Sequence, residues 1–201
     1  MSRVIRRAAA IALLMALPLV TAHAQGHRPG IRQVGAAEGR RGFWGVFEVG
    51  AGSEAVNFDD DGLGYSDALT RPAFALRLGG TVSQHLRLGG ELNGWVNDQA
   101  GITETVGAAM FVAQFYPWTR AGLFLKGGLG LGGSSIEDNF GNRSSDGGFA
   151  ANLGVGYDVR IGRRVYLVPT INVNSYRLNG SSGADYTERI GTIGLGIAYQ
   201  H

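Results

Sequence analysis

Eight stretches of the chain place apolar side chains at alternate positions, and this period of two constrains the fold more than any other feature. They cover roughly 42–53, 72–82, 86–96, 103–116, 122–133, 148–160, 164–176 and 188–200. In the third, Leu86, Leu88, Leu92 and Val96 share one face, and Arg87, Glu91 and Asn93 the other. The second sets Phe74, Leu76 and Leu78 against Arg77; the fifth sets Leu123, Leu125, Leu129 and Leu131 against Lys126. The sixth opposes Phe149, Leu153, Val155 and Val159 to Asn152, Asp158 and Arg160. The last turns Ile193, Leu195, Ile197 and Tyr199 away from Thr192, Gly194, Gly196 and Gln200. Successive side chains of a strand point to opposite faces, so each stretch predicts a two-faced β-strand. In the fourth, Met110 and Phe111 compete for the apolar face, which leaves its register open.

The breaks between strands also alternate. Short ones lie near 83–85, 117–121 and 161–163; longer ones span 54–71, 134–147 and 177–187, with 97–102 intermediate. Short turns on one rim and long loops on the other are the layout of a membrane barrel, whose strands need about 9–11 tilted residues. The predicted fold is therefore all-β, an eight-stranded antiparallel up-and-down transmembrane β-barrel over 42–201. An even strand number puts both chain ends on the short-turn, periplasmic side. A soluble barrel of equal strand number would bury its apolar face in a calyx. Here the charged face is also Gly-rich (Gly79, Gly89, Gly128, Gly130), which suits a crowded polar lumen. Phe43, Trp44, Phe115, Tyr116, Trp118, Tyr166 and Tyr199 cluster at the periplasmic strand ends and predict an interfacial girdle.

Residues 1–24 combine a basic start (Arg3, Arg6, Arg7), an apolar run from Ala8 to Val20 and a small-residue site at Ala22-His23-Ala24. That pattern predicts a cleaved secretory signal peptide; the run is too short for a spanning helix of ~20 residues. Residues 25–41 lack periodicity and read as an irregular periplasmic tail. The formal charge of +2 then divides into +3 in the signal, +3 in the tail and −4 in 42–201. Nothing in that division favours a nucleic-acid partner. Absence of Cys excludes a disulfide scaffold.

The C-terminal run Thr192-Ile193-Gly194-Leu195-Gly196-Ile197-Ala198-Tyr199, followed by Gln200 and His201, resembles the signal read by the outer-membrane assembly machinery. Its key positions are Thr192, Gly194, Ile197 and Tyr199. With the eight segments, it makes 42–201 similar to the small eight-stranded outer-membrane barrels, the OmpA/OmpX-like group. The resemblance implies insertion in the bacterial outer membrane as a monomer. The implied partners are outer-membrane lipids and lipopolysaccharide, the assembly machinery and periplasmic chaperones. The two-domain version of that group, with a peptidoglycan-binding domain after the barrel, is not expected.

Counting along the strands puts Glu48, Arg77 and Glu91 at one depth on adjacent strands, facing inward, with Lys126 at similar height. Charges in a narrow lumen must be paired to offset desolvation, so these four predict a salt-bridged plug. Other patterns are weaker. Asn57-Phe58-Asp59-Asp60-Asp61-Gly62 opens like a calcium loop, but the twelfth position is Ala68. The run Gly127–Gly133 lacks the Lys-Ser/Thr of a phosphate loop and reads as strand. Asn142-Arg143-Ser144 and Asn179-Gly180-Ser181 match the glycosylation triplet, which weighs little in this setting. His27, His85 and His201 fall in the tail, a periplasmic turn and the C-terminus, without the partners that would activate a nucleophile.

The expected protein is thus a non-catalytic barrel without metal or cofactor, acting in envelope structure or in surface interaction through acidic extracellular loops. Glu54, Asp59, Asp60, Asp61, Asp67, Asp98, Glu137, Asp138, Asp146, Asp185 and Glu188 are expected to form that acidic rim. Two other readings stay open: a narrow porin-like conduit for small ions or solutes, and an outer-leaflet lipid A-modifying enzyme.

Overall fold

The computed structural model describes residues 40–58, 69–99, 102–137, 140, 143–179 and 185–201. The signal segment, His27 and the Asp59–Gly62 part of the calcium-like run lie outside them. The strands are β1 (Phe43–Phe58), β2 (Leu69–Ser83), β3 (Leu86–Gln99), β4 (Ile102–Phe115) and β5 (Leu123–Glu137). They continue as β6 (Arg143–Tyr157), β7 (Val159–Arg160), β8 (Val165–Asn179) and β9 (Asp185–Gln200). The two-residue β7 continues β6 past a break at Asp158, so the sheet has eight staves. Their order is β6-β5-β4-β3-β2-β1-β9-β8-β7, every pair antiparallel, and β6 pairs with β8 to close the ring. Closure removes the unpaired edges that an open sheet would present.

The strands run further than the alternation predicts. Residues 134–137 and 143–147, expected in a long loop, continue the β5–β6 ladder out to Glu137↔Arg143. Likewise β8 and β9 stay paired out to Asn179↔Asp185, and β3 and β4 out to Gln99↔Ile102. Ser, Asn, Gly and Asp read as breaks from side-chain propensity. In a barrel, however, each strand has hydrogen-bonding neighbours on both sides, and pairing satisfies every backbone group whatever the side chain. A 15-residue strand rises about 50 Å along its length, so even when tilted it overshoots an apolar band of ~25 Å. The acidic residues Glu54, Asp98, Glu137, Asp146, Asp185 and Glu188 therefore lie on strands rather than in loops.

The outer face is an apolar belt. Leu129, Leu131, Phe149 and Leu153 are 68–72% exposed, joined by Phe47, Val49, Leu92, Phe111, Val173 and Ile197. Soluble monomers rarely show so continuous an apolar surface; in a bilayer it is the contact with lipid. The inner face is mixed rather than uniformly polar. Val106, Ala108, Met110 and Val112 make the β4 wall apolar, and Trp44, Trp95, Phe124, Leu178 and Ile190 pack inside with them. This settles the register of β4: Met110 faces the lumen and Phe111 the lipid.

The expected aromatic girdle divides the same way. Phe43, Phe115, Trp118 and Tyr199 are exposed on the outside, but Trp44, Tyr116 and Tyr166 are buried in the interior. Adjacent aromatics on a strand cannot share a face, so Phe43-Trp44 and Phe115-Tyr116 each contribute one ring to either side.

Candidate functional site: the barrel interior

The interior holds three layers of polar groups. In the middle layer, Arg77 and Glu91 are direct cross-strand partners on β2 and β3, and Glu48 enters from β1. Arg77 binds the Glu48 carboxylate through Nη2, and its Nε lies 3.8 Å from Glu91 Oε2. From β5, across the apolar wall of β4, Lys126 Nζ donates to the same Glu91 oxygen at 2.5 Å. All four predicted residues thus converge, each at most 5% exposed. Around them Thr170 Oγ1 donates to Glu48 at 2.7 Å, and Asn93 Nδ2 to Glu91 at 3.0 Å. Asn152 donates to Asn174 at 2.5 Å and Tyr176 to Asn93 at 3.1 Å. Every stave except β4 sends a polar side chain into this layer, and a cavity of about 20 Å³ beside it has room for about one water.

A second layer, at the periplasmic end, is built on Arg87 of β3. Its guanidinium donates to Tyr116 Oη at 2.7 Å, Asp158 Oδ2 at 3.2 Å and Gln200 Oε1 at 2.5 Å. The Tyr116 hydroxyl in turn donates to Asp158 at 3.0 Å. Burial, reinforced by the Asp158 carboxylate, raises the Tyr116 phenol above its ordinary range and keeps it a donor. Asp158 faces inward in step with Asn152 on β6, at the point where the ladder breaks between β6 and β7; its N–H donates to the Gly122 carbonyl at 2.9 Å. A side chain at Gly122 would collide with the Asp158 backbone.

Arg40 seals this end. Its guanidinium lies 3.7 Å over the Tyr116 ring and donates to the carbonyls of Thr119 at 3.1 Å and Ala121 at 2.5 Å. The nominally irregular segment before β1 therefore holds, just before its last residue, a side chain only 1% exposed. Nothing in local pattern marks Arg40, because its partners come from turns 44 to 81 residues away. Arg87 and Asp158, by contrast, carry a sequence signal: both occupy the polar face of their strands. Gln200, beyond the aromatic end of the assembly motif, is buried and ties the C-terminus to Arg87.

The third layer, at the extracellular end, consists of Glu54 on β1, Glu104 on β4 and Glu188 on β9, with one carboxylate oxygen from each within 4.8 Å of the others. Asp146 stands at the same end, accepting from Tyr186 Oη at 2.9 Å. The four ion pairs found among the described residues all lie in the two lower layers.

Of the motif residues on β9, Ile197 and Tyr199 face outward, while Thr192 and Gly194 face the lumen. A β-carbon at Gly194 would collide with the Glu48 carboxylate, so this glycine makes room for the middle layer. Gly127–Gly133 lies within β5, and Gly132 faces the Tyr176 ring. His85, exposed in a periplasmic turn, places Nδ1 2.7 Å from the Tyr116 carbonyl; His201 is exposed at the end of the chain. Asn142 and the Gly180-Ser181 pair of the glycosylation triplets lie outside the described residues.

Two solved structures share this architecture. Neisserial surface protein A superposes with a TM-score of 0.57 at 15% identity, covering 82% of this chain and all of that one. Ail, the attachment invasion locus protein of Yersinia pestis, gives 0.55 at 13%, covering 79% of this chain and 99% of that one. At such identity the likeness concerns the fold alone. No curated protein sequence matches the chain significantly. The profile of the outer membrane protein beta-barrel domain matches residues 9–200, nearly the whole length, so the chain belongs to that family of bacterial outer-membrane barrels.

Proposed function

We propose that this barrel is a plugged, non-catalytic component of the outer membrane, delivered by a cleaved leader at 1–24 and working as a monomer in envelope structure or surface interaction. The observation that carries the reading is the buried Glu48–Arg77–Glu91–Lys126 network, which ties β1, β2, β3 and β5 together at mid-depth. Ion pairs so buried are costly to open, because separating them leaves charges without water or partner. An eight-stranded barrel has an interior just wide enough for its side chains to fill. Its contacts are then lipid and lipopolysaccharide on the outer face, and the assembly machinery through Thr192, Gly194, Ile197 and Tyr199. Acidic groups at the extracellular strand ends, such as the exposed Asp98 and Glu137, present the surface for interaction.

Planar-bilayer recording tests the plug. The expected result is no steady conductance from the wild-type chain. Conductance in the wild type that disappears in Glu48→Ala or Arg77→Ala would overturn it in favour of an ion conduit. Mass spectrometry of lipid A from cells with and without the protein tests the non-catalytic reading, and a shifted acyl pattern would overturn that.

A further inference from the structure

The extracellular layer differs from everything beneath it: it gathers carboxylates and no ion pair reaches it among the described residues. Glu54 and Glu188 sit on the neighbouring strands β1 and β9, where Glu54 pairs with Ile190 and Glu188 with Val56, so the two acids are diagonal neighbours on the inner face. Glu104 comes from β4 on another part of the wall and brings its carboxylate to the same point. The first two are 5% and 2% exposed. Glu54 Oε1 and Glu188 Oε2 are fully buried and accept no hydrogen bond. The nearby guanidinium of Arg71 donates to Asn97 Oδ1 at 2.7 Å, and Asn97 in turn holds Glu104 Oε2 at 3.4 Å. Arg189 is exposed, away from the inward-facing Glu188 that precedes it.

Unpartnered carboxylate oxygens this close repel one another and have lost their water. A cation placed among them would remove both costs. The donor set is oxygen only, which selects a hard divalent ion over the softer transition metals. Calcium takes oxygens at about 2.3–2.6 Å in flexible, irregular geometry, whereas Mg²⁺ demands near-ideal octahedral order at about 2.0–2.1 Å; three carboxylates from separate strands, with oxygens within 4.8 Å of one another, suit the more tolerant ion. We propose that Glu54, Glu104 and Glu188 form a binding site for a hard divalent cation, Ca²⁺ ahead of Mg²⁺, inside the extracellular mouth of the barrel. Partial exposure of Glu104 gives the ion its way in. By bridging β1, β4 and β9 the ion ties opposite parts of the wall, as the ion pairs do lower down. The site does not depend on the plug, and none of its three residues belongs to the calcium-like run at Asn57–Gly62.

The test uses the full-length barrel extracted from outer membranes in detergent, stripped with EDTA and titrated calorimetrically with CaCl₂ and separately with MgCl₂. The expected result is one saturable Ca²⁺ per chain, with Mg²⁺ weaker. The double variant Glu54→Gln/Glu188→Gln keeps the shape of both side chains and is expected to weaken uptake at least tenfold. Ca²⁺ should also raise the temperature at which the unboiled gel form is lost, in the wild type and not in the variant. No saturable uptake by the wild type, which would mean that protons alone neutralise the cluster, overturns the proposal. So does uptake of equal affinity in the double variant, which would place the ion elsewhere on the surface. If the double variant does not give the unboiled form, Glu104→Gln alone is titrated, with the same expectation and the same overturning result.

Discussion

The middle and extracellular layers of the lumen are made of the same material, inward-facing charges on paired strands, yet they are balanced in opposite ways. In the middle, two carboxylates meet two cations, and neutral amides and a hydroxyl take up other oxygens. At the mouth, three carboxylates converge with none of the described ion pairs among them. The contrast teaches that a buried charge is neither stabilising nor destabilising in itself. Its sign depends on whether its partner is built into the wall or must come from solution.

Three substitutions would break or sharpen this contrast, each read as the midpoint of urea unfolding followed by gel mobility of the unboiled protein. Arg77→Ala should have the largest effect, a loss of about 3–5 kcal/mol, because Glu48 and Glu91 would be left buried with reduced compensation. A loss under about 1 kcal/mol would mean that water enters the middle layer and the charges there are not held by one another. Arg87→Ala should cost roughly 1.5–3 kcal/mol through the loss of its charged hydrogen bonds to Tyr116, Asp158 and Gln200. A neutral outcome there would show that Arg40 alone suffices to close the periplasmic end. Glu188→Gln, measured in EDTA, should act with the opposite sign and stabilise by about 0.2–1 kcal/mol, as removal of a like-charge neighbour does. Destabilisation in EDTA would mean that the mouth carries a compensating charge from residues outside those described.

The predicted quartet was legible because Glu48, Arg77 and Lys126 are each the single charge of an apolar-alternating stretch and Glu91 shares its stretch only with Arg87, while the short β2–β3 turn fixes the register between those neighbours. Arg77 opposite Glu91 follows from the β2–β3 hairpin alone. The β4 register was not legible, because Met110 and Phe111 are both acceptable to lipid and to a packed interior. Nor could local pattern separate Trp44 from Phe43, or Tyr116 from Phe115: propensity places aromatics at strand ends but says nothing of which ring finds a polar partner inside. Glu54, Asp146 and Glu188 read as loop residues for a related reason, whereas Glu104 reads as strand. Ser, Gly, Asn and Asp around Glu54, Asp146 and Glu188 weaken the strand signal, while ring closure supplies the backbone partners that extend the strands regardless.

What the sequence determined by itself is everything that depends on near neighbours: the period of two, the eight staves, the division into a lipid face and a lumen face, and the charges at mid-depth. Only the tertiary structure decided which distant residues meet. Arg40 reaches the turn carbonyls of Thr119 and Ala121, Gln200 reaches Arg87, and Glu104 meets Glu54 and Glu188, because a closed ring of fixed radius brings facing staves together. Alternation is a local property of the backbone, whereas contact across a lumen depends on closure and on the stagger of every strand at once.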